Sequence, residues 1–167
     1  VAGTEDAFVD MMNAYARRLG MSATHFVDAS GMPSPQHYST ARDLAALSRA
    51  LIRDFPDHYG LFALREFAWN GIRQQNRNGL LWKDPSIDGI KTGHHSGSGY
   101  CLLASAVRGD QRLVSIVMGI QTDSQAEGFR LRETGNLNLL NWGFRFFETH
   151  SLYAPGAKIA QQKVWKG

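Results

Sequence analysis

Apolar positions recur at helical spacing at both ends of the chain and gather into short strand-like runs in its middle, so a helical start, a strand-rich centre and a helical finish are predicted. Phe8, Met11, Met12, Tyr15 and Leu19 share one face of a first helix, capped by Thr4, opened by Glu5 and Asp6 and closed by Arg17, Arg18 and Gly20. That stripe is expected to be core rather than a methionine-rich binding face. A second helix follows Thr40, with Asp43 three residues on in a capping-box arrangement. Leu44, Leu47, Leu51 and Phe55 should form its buried face, Pro56 stops it, and a short helical turn is expected over Asp57 to Leu64.

Between these helices, Ser30-Gly31-Met32-Pro33-Ser34-Pro35 denies regular structure to the stretch from Met21 to Tyr38. His25 and His37 lie there without a second ligand at metal-site spacing and read as loop-packing residues. Glu66 to Ile72 reads as a strand with a tight turn at Asn70-Gly71. Tyr100 to Val107 and Leu113 to Ile120, joined through Arg108-Gly109-Asp110, read as an antiparallel hairpin, with a strand over Ile87 to Thr92 beside it. Gly119 to Gln125 is expected to be loop. Phe129 to His150 is broadly helical, and because Gly128, Gly135 and Gly143 lower its propensity, tertiary packing must support it. From Ser151 the character changes: Pro155-Gly156 makes a turn, and Lys163-Val164-Trp165-Lys166 reads as a strand entering something else.

Composition narrows the class. The chain has 167 residues, 43% hydrophobic and 20% charged, enough for one sizeable core. No apolar run reaches the ~20 residues of a membrane span, and the N-terminus lacks a signal peptide's charged and apolar regions. It starts at Val1 without a methionine, as expected of a processed or truncated piece. The formal charge of +3 comes from scattered lysines and arginines, with no block of five like charges, so an ordinary solvated surface is expected and nucleic acid is not an expected partner. Cys101 is the single cysteine and sits in an apolar run, where it reads as a small hydrophobe.

The chemistry centres on Asn76-Arg77-Asn78-Gly79-Leu80-Leu81-Trp82 and Asp88-Gly89-Ile90-Lys91-Thr92-Gly93-His94. Lys-Thr-Gly at a strand edge offers an ammonium, a hydroxyl and unhindered backbone to an acyl substrate; taken alone it also describes a solvated lysine at a strand end. With Ile72-Arg73-Gln74-Gln75 before Asn76, and with Trp142-Gly143-Phe144-Arg145-Phe146-Phe147-Glu148, the chain resembles the low-molecular-mass penicillin-binding proteins. These are D-alanyl-D-alanine carboxypeptidases that trim peptidoglycan stem peptides, and the resemblance covers nearly the whole chain.

The resemblance implies an α+β fold, an antiparallel sheet packed by helices as in the penicillin-binding protein and serine beta-lactamase superfamily. Residues 1–150 would be the C-terminal part of the catalytic domain, and 151–167 a linker and first strand of a β-rich domain. The implied catalytic group is Lys91, Thr92 and Gly93: the Thr92 hydroxyl would bond the substrate's terminal carboxylate, the Lys91 ammonium would tune the field at the nucleophile, and Gly93 would admit close backbone approach. Arg77 and Arg132 would help to hold that carboxylate, His94 would be a rim residue, and the loop from Met21 to Tyr38 would flank the mouth of the site. Arg77 could instead be a loop arginine bonding nearby carbonyls, and Arg130 could take the place assigned to Arg132.

No serine of the chain begins the family's Ser-x-x-Lys or Ser-x-Asn, so the nucleophile is expected upstream of Val1, in a missing N-terminal half, and the chain alone is expected to be inactive. The implied function is a serine-type D-Ala-D-Ala carboxypeptidase of the cell wall, working by an acyl-serine intermediate outside the cytoplasmic membrane and peripheral to it. Its partners would be stem peptides ending in D-Ala-D-Ala and beta-lactams as covalent inhibitors, with no metal or organic cofactor. The alternatives are a class A-like serine beta-lactamase and a catalytically silent peptidoglycan-binding module.

Overall fold

Both anticipated caps form in the computed structural model, which describes residues 2–165. Thr4 Oγ1 accepts from Ala7 N at 3.2 Å and opens α1, Glu5–Arg18. Thr40 Oγ1 accepts from Asp43 N at 3.2 Å and opens α2, Ala41–Asp54. The expected capping box is only half made, because the Asp43 carboxylate turns outward to accept from Ala23 N at 2.8 Å and Thr24 Oγ1 at 2.7 Å. Aspartate is one methylene shorter than the glutamate that usually reaches back, and here it anchors the incoming loop instead.

Pro56 ends α2 and occupies the first turn of α3, Pro56–Tyr59, followed by a 3₁₀ turn at Gly60–Ala63. β1, Glu66–Trp69, and β2, Ile72–Gln75, pair antiparallel across Asn70 and Gly71, whose φ values of 47° and 75° are those a two-residue hairpin turn requires. All eight strand residues of this ribbon are exposed. A short helix α4, Leu80–Lys83, leads into the main sheet.

That sheet has the order β3-β4-β5, with β3 at Ile87–His95, β4 at Gly99–Arg108 and β5 at Gln111–Ile120, both junctions antiparallel. Among the described residues β3 and β5 are therefore both edge strands. Strict alternation along β4 sorts the two faces: Tyr100, Leu102, Ala104 and Ala106 are buried against α5, Gln125–Phe146, while Ser105 looks the other way. Leu80, Leu81, Ile87 and Leu140 complete the core, each stabilising by roughly 1.5–3 kcal/mol through burial.

On the opposite face lie α2 and α3, held partly by polar contacts. Arg112 donates to Ser105 Oγ at 2.6 Å and pairs with Asp88 at 2.7 Å, and Tyr59 Oη donates to Asp88 Oδ1 at 3.3 Å. Burial of the Tyr59 ring pushes its phenol up to about 12.

The structure corrects three expectations. Helix α5 starts at Gln125, four residues before the anticipated Phe129, because Ser124 Oγ accepts from Glu127 N at 3.3 Å. Its first turn is polar and largely exposed, so hydrophobic spacing does not register it; at the other end the helix stops at Phe146 rather than His150. The face of α2 is buried mainly through Asp43, Ser48 and Ala50, while its leucines are half-buried and Phe55 is exposed. The apolar stripe of α1 is not a closed core either: Phe8 is 38% and Met11 52% exposed, and with Met12, Tyr15, Leu47 and Phe55 they line an open groove. Among the described residues the groove is closed on one side by Met21, Phe26, Leu47 and Phe55, and the α1 side chains Phe8 and Met11 are left exposed.

Residues 147–165 carry no helix or strand and are exposed. The strand anticipated at Lys163-Val164-Trp165 has no pairing partner among the described residues, and Lys166 lies outside them. No helix among the described residues is long and apolar enough to cross a membrane.

Candidate active site

Strand pairing sets the first half of the site. In register with β4, Lys91 stands opposite Leu103, Thr92 opposite Leu102, Gly93 opposite Cys101 and His94 opposite Tyr100, and the far edge of β3 is unpaired among the described residues. Lys91 is exposed and its ammonium donates to the Thr92 carbonyl; Thr92 is half-buried. The His94 ring stacks on Tyr100 with centroids 3.8 Å apart and planes at 21°. Tyr100, itself 5% exposed, meets the edge of Phe129 of α5 at 5.8 Å. Helix α5 therefore holds His94 at the rim through an aromatic chain.

Arg77 sits on a loop that two asparagines fix. Asn76 Nδ2 donates to Leu64 O at 2.9 Å and Asn76 Oδ1 accepts from Asn78 N at 2.9 Å. Asn78 is buried, donates to Gly89 O of β3 at 3.0 Å and accepts from Leu80 N at 3.2 Å. A buried amide with both ends satisfied is a rigid connector, so the loop is tied to the strand that carries Lys91. The Arg77 side chain, between the two anchors, projects into the open.

Arg132 belongs to the row Gly128, Arg132, Asn136, Leu140 and Gly143 that α5 turns toward the sheet. It is 2% exposed, donates from Nη2 to Arg77 O at 2.9 Å and from Nη1 to Cys101 O at 3.5 Å, and its Nε is buried with no partner among the described residues. Phe129 lies under the guanidinium at 4.5 Å. Burial lowers its pKa from the usual arginine range, against the opposing pull of the Glu133 carboxylate. One turn on, Asn136 donates to Leu102 O at 3.2 Å and to Arg132 O at 2.8 Å and accepts from Ser115 Oγ at 2.6 Å, which fixes this turn of α5 on the sheet. Arg130 points away into solvent and pairs with Glu127 at 2.6 Å. Of the two arginines left open by the sequence, Arg132 is the one at the cavity.

Arg77, Lys91, Thr92, Gly93, His94 and Arg132 all line one cavity of about 750 Å³. Ser30 and Gly31, from the loop expected at the mouth, lie in the same wall, and sequence reasoning missed His95, Ser98, Gln125 and Phe129 there. Ser30 and Gly31 come from the proline-flanked loop, where Asp28 Oδ1 accepts from Ser30 N, Ser30 Oγ, Gly31 N and Met32 N at 2.6–3.3 Å. Those bonds, the Ser30 hydroxyl first, hold the Asp28 carboxyl down at about 2. Asp28 accepts these bonds as an Asx-type turn does, which is how the expected loop is held in order. His95 Nδ1 accepts from Gly97 N at 3.0 Å and Ser98 N at 3.1 Å, which closes the β3–β4 turn at the mouth. Among the described residues no Asp or Glu lines the cavity, whereas Arg77, Lys91 and Arg132 do, so it suits an anion.

The family model for D-alanyl-D-alanine carboxypeptidase matches residues 1–122. D-alanyl-D-alanine carboxypeptidase DacA of Escherichia coli (strain K12) is 48% identical over 167 residues, which take in 99% of this chain and 40% of the relative. DacC of the same organism is 46% identical over 168 residues, 100% of this chain and 40% of the relative. The chain thus spans about two fifths of the length of these curated relatives. Among solved structures, penicillin binding protein 6B from Escherichia coli superposes with a TM-score of 0.83 at 46% identity, over 96% of this chain and 49% of that one. Penicillin-binding protein D2 from Listeria monocytogenes, in its cefotaxime-bound form, superposes with a TM-score of 0.71 at 35% identity, over 82% and 55%. The family model matches residues 1–122 and the identities of 46–48% extend over essentially the whole chain, so the chain belongs to the D-alanyl-D-alanine carboxypeptidase family.

Proposed function

We propose that this chain is the C-terminal part of the catalytic domain of a serine-type D-Ala-D-Ala carboxypeptidase, which removes the terminal D-alanine from peptidoglycan stem peptides outside the cytoplasmic membrane. The observation that carries the reading is a cavity lined by Arg77, Lys91 and Arg132 and, among the described residues, by no carboxylate, with Arg132 buried at its wall and its Nε unpartnered among them. A buried cation keeps its charge at least cost when a substrate anion completes its hydrogen bonds, and a peptide's terminal carboxylate is such an anion.

In this reading the substrate lies along the free edge of β3. Arg77, Arg132 and the Thr92 hydroxyl hold its carboxylate, Gly93 leaves room for its backbone, and His94 borders the leaving residue. The nucleophilic serine and the lysine that takes its proton belong to a part of the protein outside these residues, since no serine here begins Ser-x-x-Lys. Serine attack on the carbonyl between the two D-alanines expels the terminal one. A backbone N–H of β3 helps to hold the oxyanion, Lys91 stabilises the charge that develops, and water releases the shortened peptide. Beta-lactams carry a carboxylate beside a strained acyl group and would be trapped at the acyl stage. Residues 151–167 would lead into the β-rich second domain, and the intact protein would sit at the outer face of the cytoplasmic membrane.

The test uses the full-length protein with Thr92→Val, which keeps shape and removes the hydroxyl. Losing a hydrogen bond to a charged group costs about 1.5–3 kcal/mol, so kcat/KM for D-alanine release from an acyl-D-Ala-D-Ala peptide should fall about ten- to a hundredfold, and beta-lactam acylation less. Peptide kinetics unchanged by Thr92→Val would remove the assigned role. Wild-type protein that turns over beta-lactam but not peptide would be a beta-lactamase, and one that binds peptidoglycan without reacting with either would be the silent module.

A further inference from the structure

Glu133 is next to Arg132 in the chain, is buried, and packs so closely on Gly79 that a Cβ there would lie 2.5 Å from Glu133 Oε1. It also shares a smaller recess of about 380 Å³ with Arg77, Gly79, Trp82 and Phe129, and Arg77 and Phe129 are at the same time walls of the main cavity. A carboxylate in that place has two cationic neighbours to choose from. Left to itself it would pair with Arg77 or Arg132 and occupy the donors a substrate carboxylate needs. It does neither: its Oε2 accepts from Lys83 Nζ of α4 at 2.6 Å, and both arginines are without a carboxylate partner among the described residues.

We infer that Lys83 is a positioning residue that holds Glu133 away from Arg77 and Arg132, and so sets how strongly the site selects substrates ending in a free carboxylate. The inference rests on the reading of the cavity as a carboxylate site. With Glu133 held on Lys83 as an ion pair, the charged groups of Arg77 and Arg132 stay without a carboxylate competitor at the cavity. The pair spans α4 and α5, the two helices that flank Arg77 and carry Arg132, and Lys83 is half-exposed, so removing its charge leaves the core untouched.

The test is carried out on the full-length protein with two probes, an acyl-D-Ala-D-Ala peptide and the same peptide with a C-terminal amide, read by hydrolysis and by calorimetric binding. Lys83→Met should raise KM and Kd for the free-carboxylate peptide about tenfold, the scale of one charge-assisted contact, with little change in kcat and none in the amide peptide. Adding Glu133→Gln to Lys83→Met should bring the free-carboxylate peptide back to within about threefold of wild type, because the released competitor is gone. A double variant no better than Lys83→Met, a parallel loss for both peptides, or an unaffected Lys83→Met would overturn the inference. Wild-type protein that fails to distinguish the two peptides would instead refute the carboxylate-site reading itself.

Discussion

Gly128→Ala separates helix propensity from packing at the junction between α5 and the site. Alanine in place of glycine in a helix gains about 1 kcal/mol from propensity alone, so the change would stabilise an isolated α5. Here the new Cβ would press on three carbons of the Tyr100 ring, all far inside van der Waals contact. The ring has nowhere to go: it is 5% exposed, with His94 stacked on it at 3.8 Å and Phe129 against it at 5.8 Å. Overpacking of a closed site costs about 1–3 kcal/mol, and immobile neighbours place Gly128 at the upper end, for a net loss of about 2 kcal/mol. At about 2–4 °C per kcal/mol for a domain of this size, Tm should drop by roughly 4–8 °C. Gly143→Ala is the contrast, because its Cβ would meet only the end of the Leu113 side chain, at 2.7 Å from Cδ1, and a leucine methyl can rotate away. Thermal melts of the full-length protein and both variants, followed by circular dichroism under one set of conditions, decide the matter. A Gly128→Ala protein that melts at or above wild type would refute the close approach of α5 to Tyr100. The same variant should lower peptide turnover, since displacing Tyr100 moves His94.

Arg132→Ala and Arg77→Ala should each lower kcat/KM for a free-carboxylate peptide by about ten- to a hundredfold, and the double variant should lose less than the product because both serve one carboxylate. Arg130→Ala, which removes only an exposed pair with Glu127, should change activity less than about twofold; a large loss there with none at Arg132 would displace the site by two residues. Tyr59 gives a pH test. Its phenol is raised from 10.0 to about 12 in the folded state, so the folded protein keeps a proton the unfolded chain loses, and stability should fall as pH rises through that window. Ultraviolet titration should show one tyrosine ionising near the top of it, a step absent in Tyr59→Phe.

Local order was legible in the sequence wherever the deciding interactions were themselves local. Thr4 and Thr40 cap because a hydroxyl one residue ahead of a helix reaches the free N–H groups of its first turn, and Asn70-Gly71 turns because both residues accept positive φ. Strands β3 to β5 showed as apolar runs, and Lys91-Thr92-Gly93 stood out because its chemistry is carried by three consecutive residues. Only the tertiary structure could decide between Arg130 and Arg132: both are arginines on one helix, and what separates them is that α5 turns Arg132 to the Arg77 and Cys101 carbonyls and Arg130 to water. The same holds for the glycines of α5, which look like helix breakers in one dimension and in three are the places where the helix comes closest to Tyr100, Val117 and Leu113. It holds too for Lys83 and Glu133, fifty residues apart in the chain and 2.6 Å apart in space. The apolar stripe of α1 shows the opposite limit, because amphipathic spacing tells which face of a helix avoids water but not what, if anything, covers it.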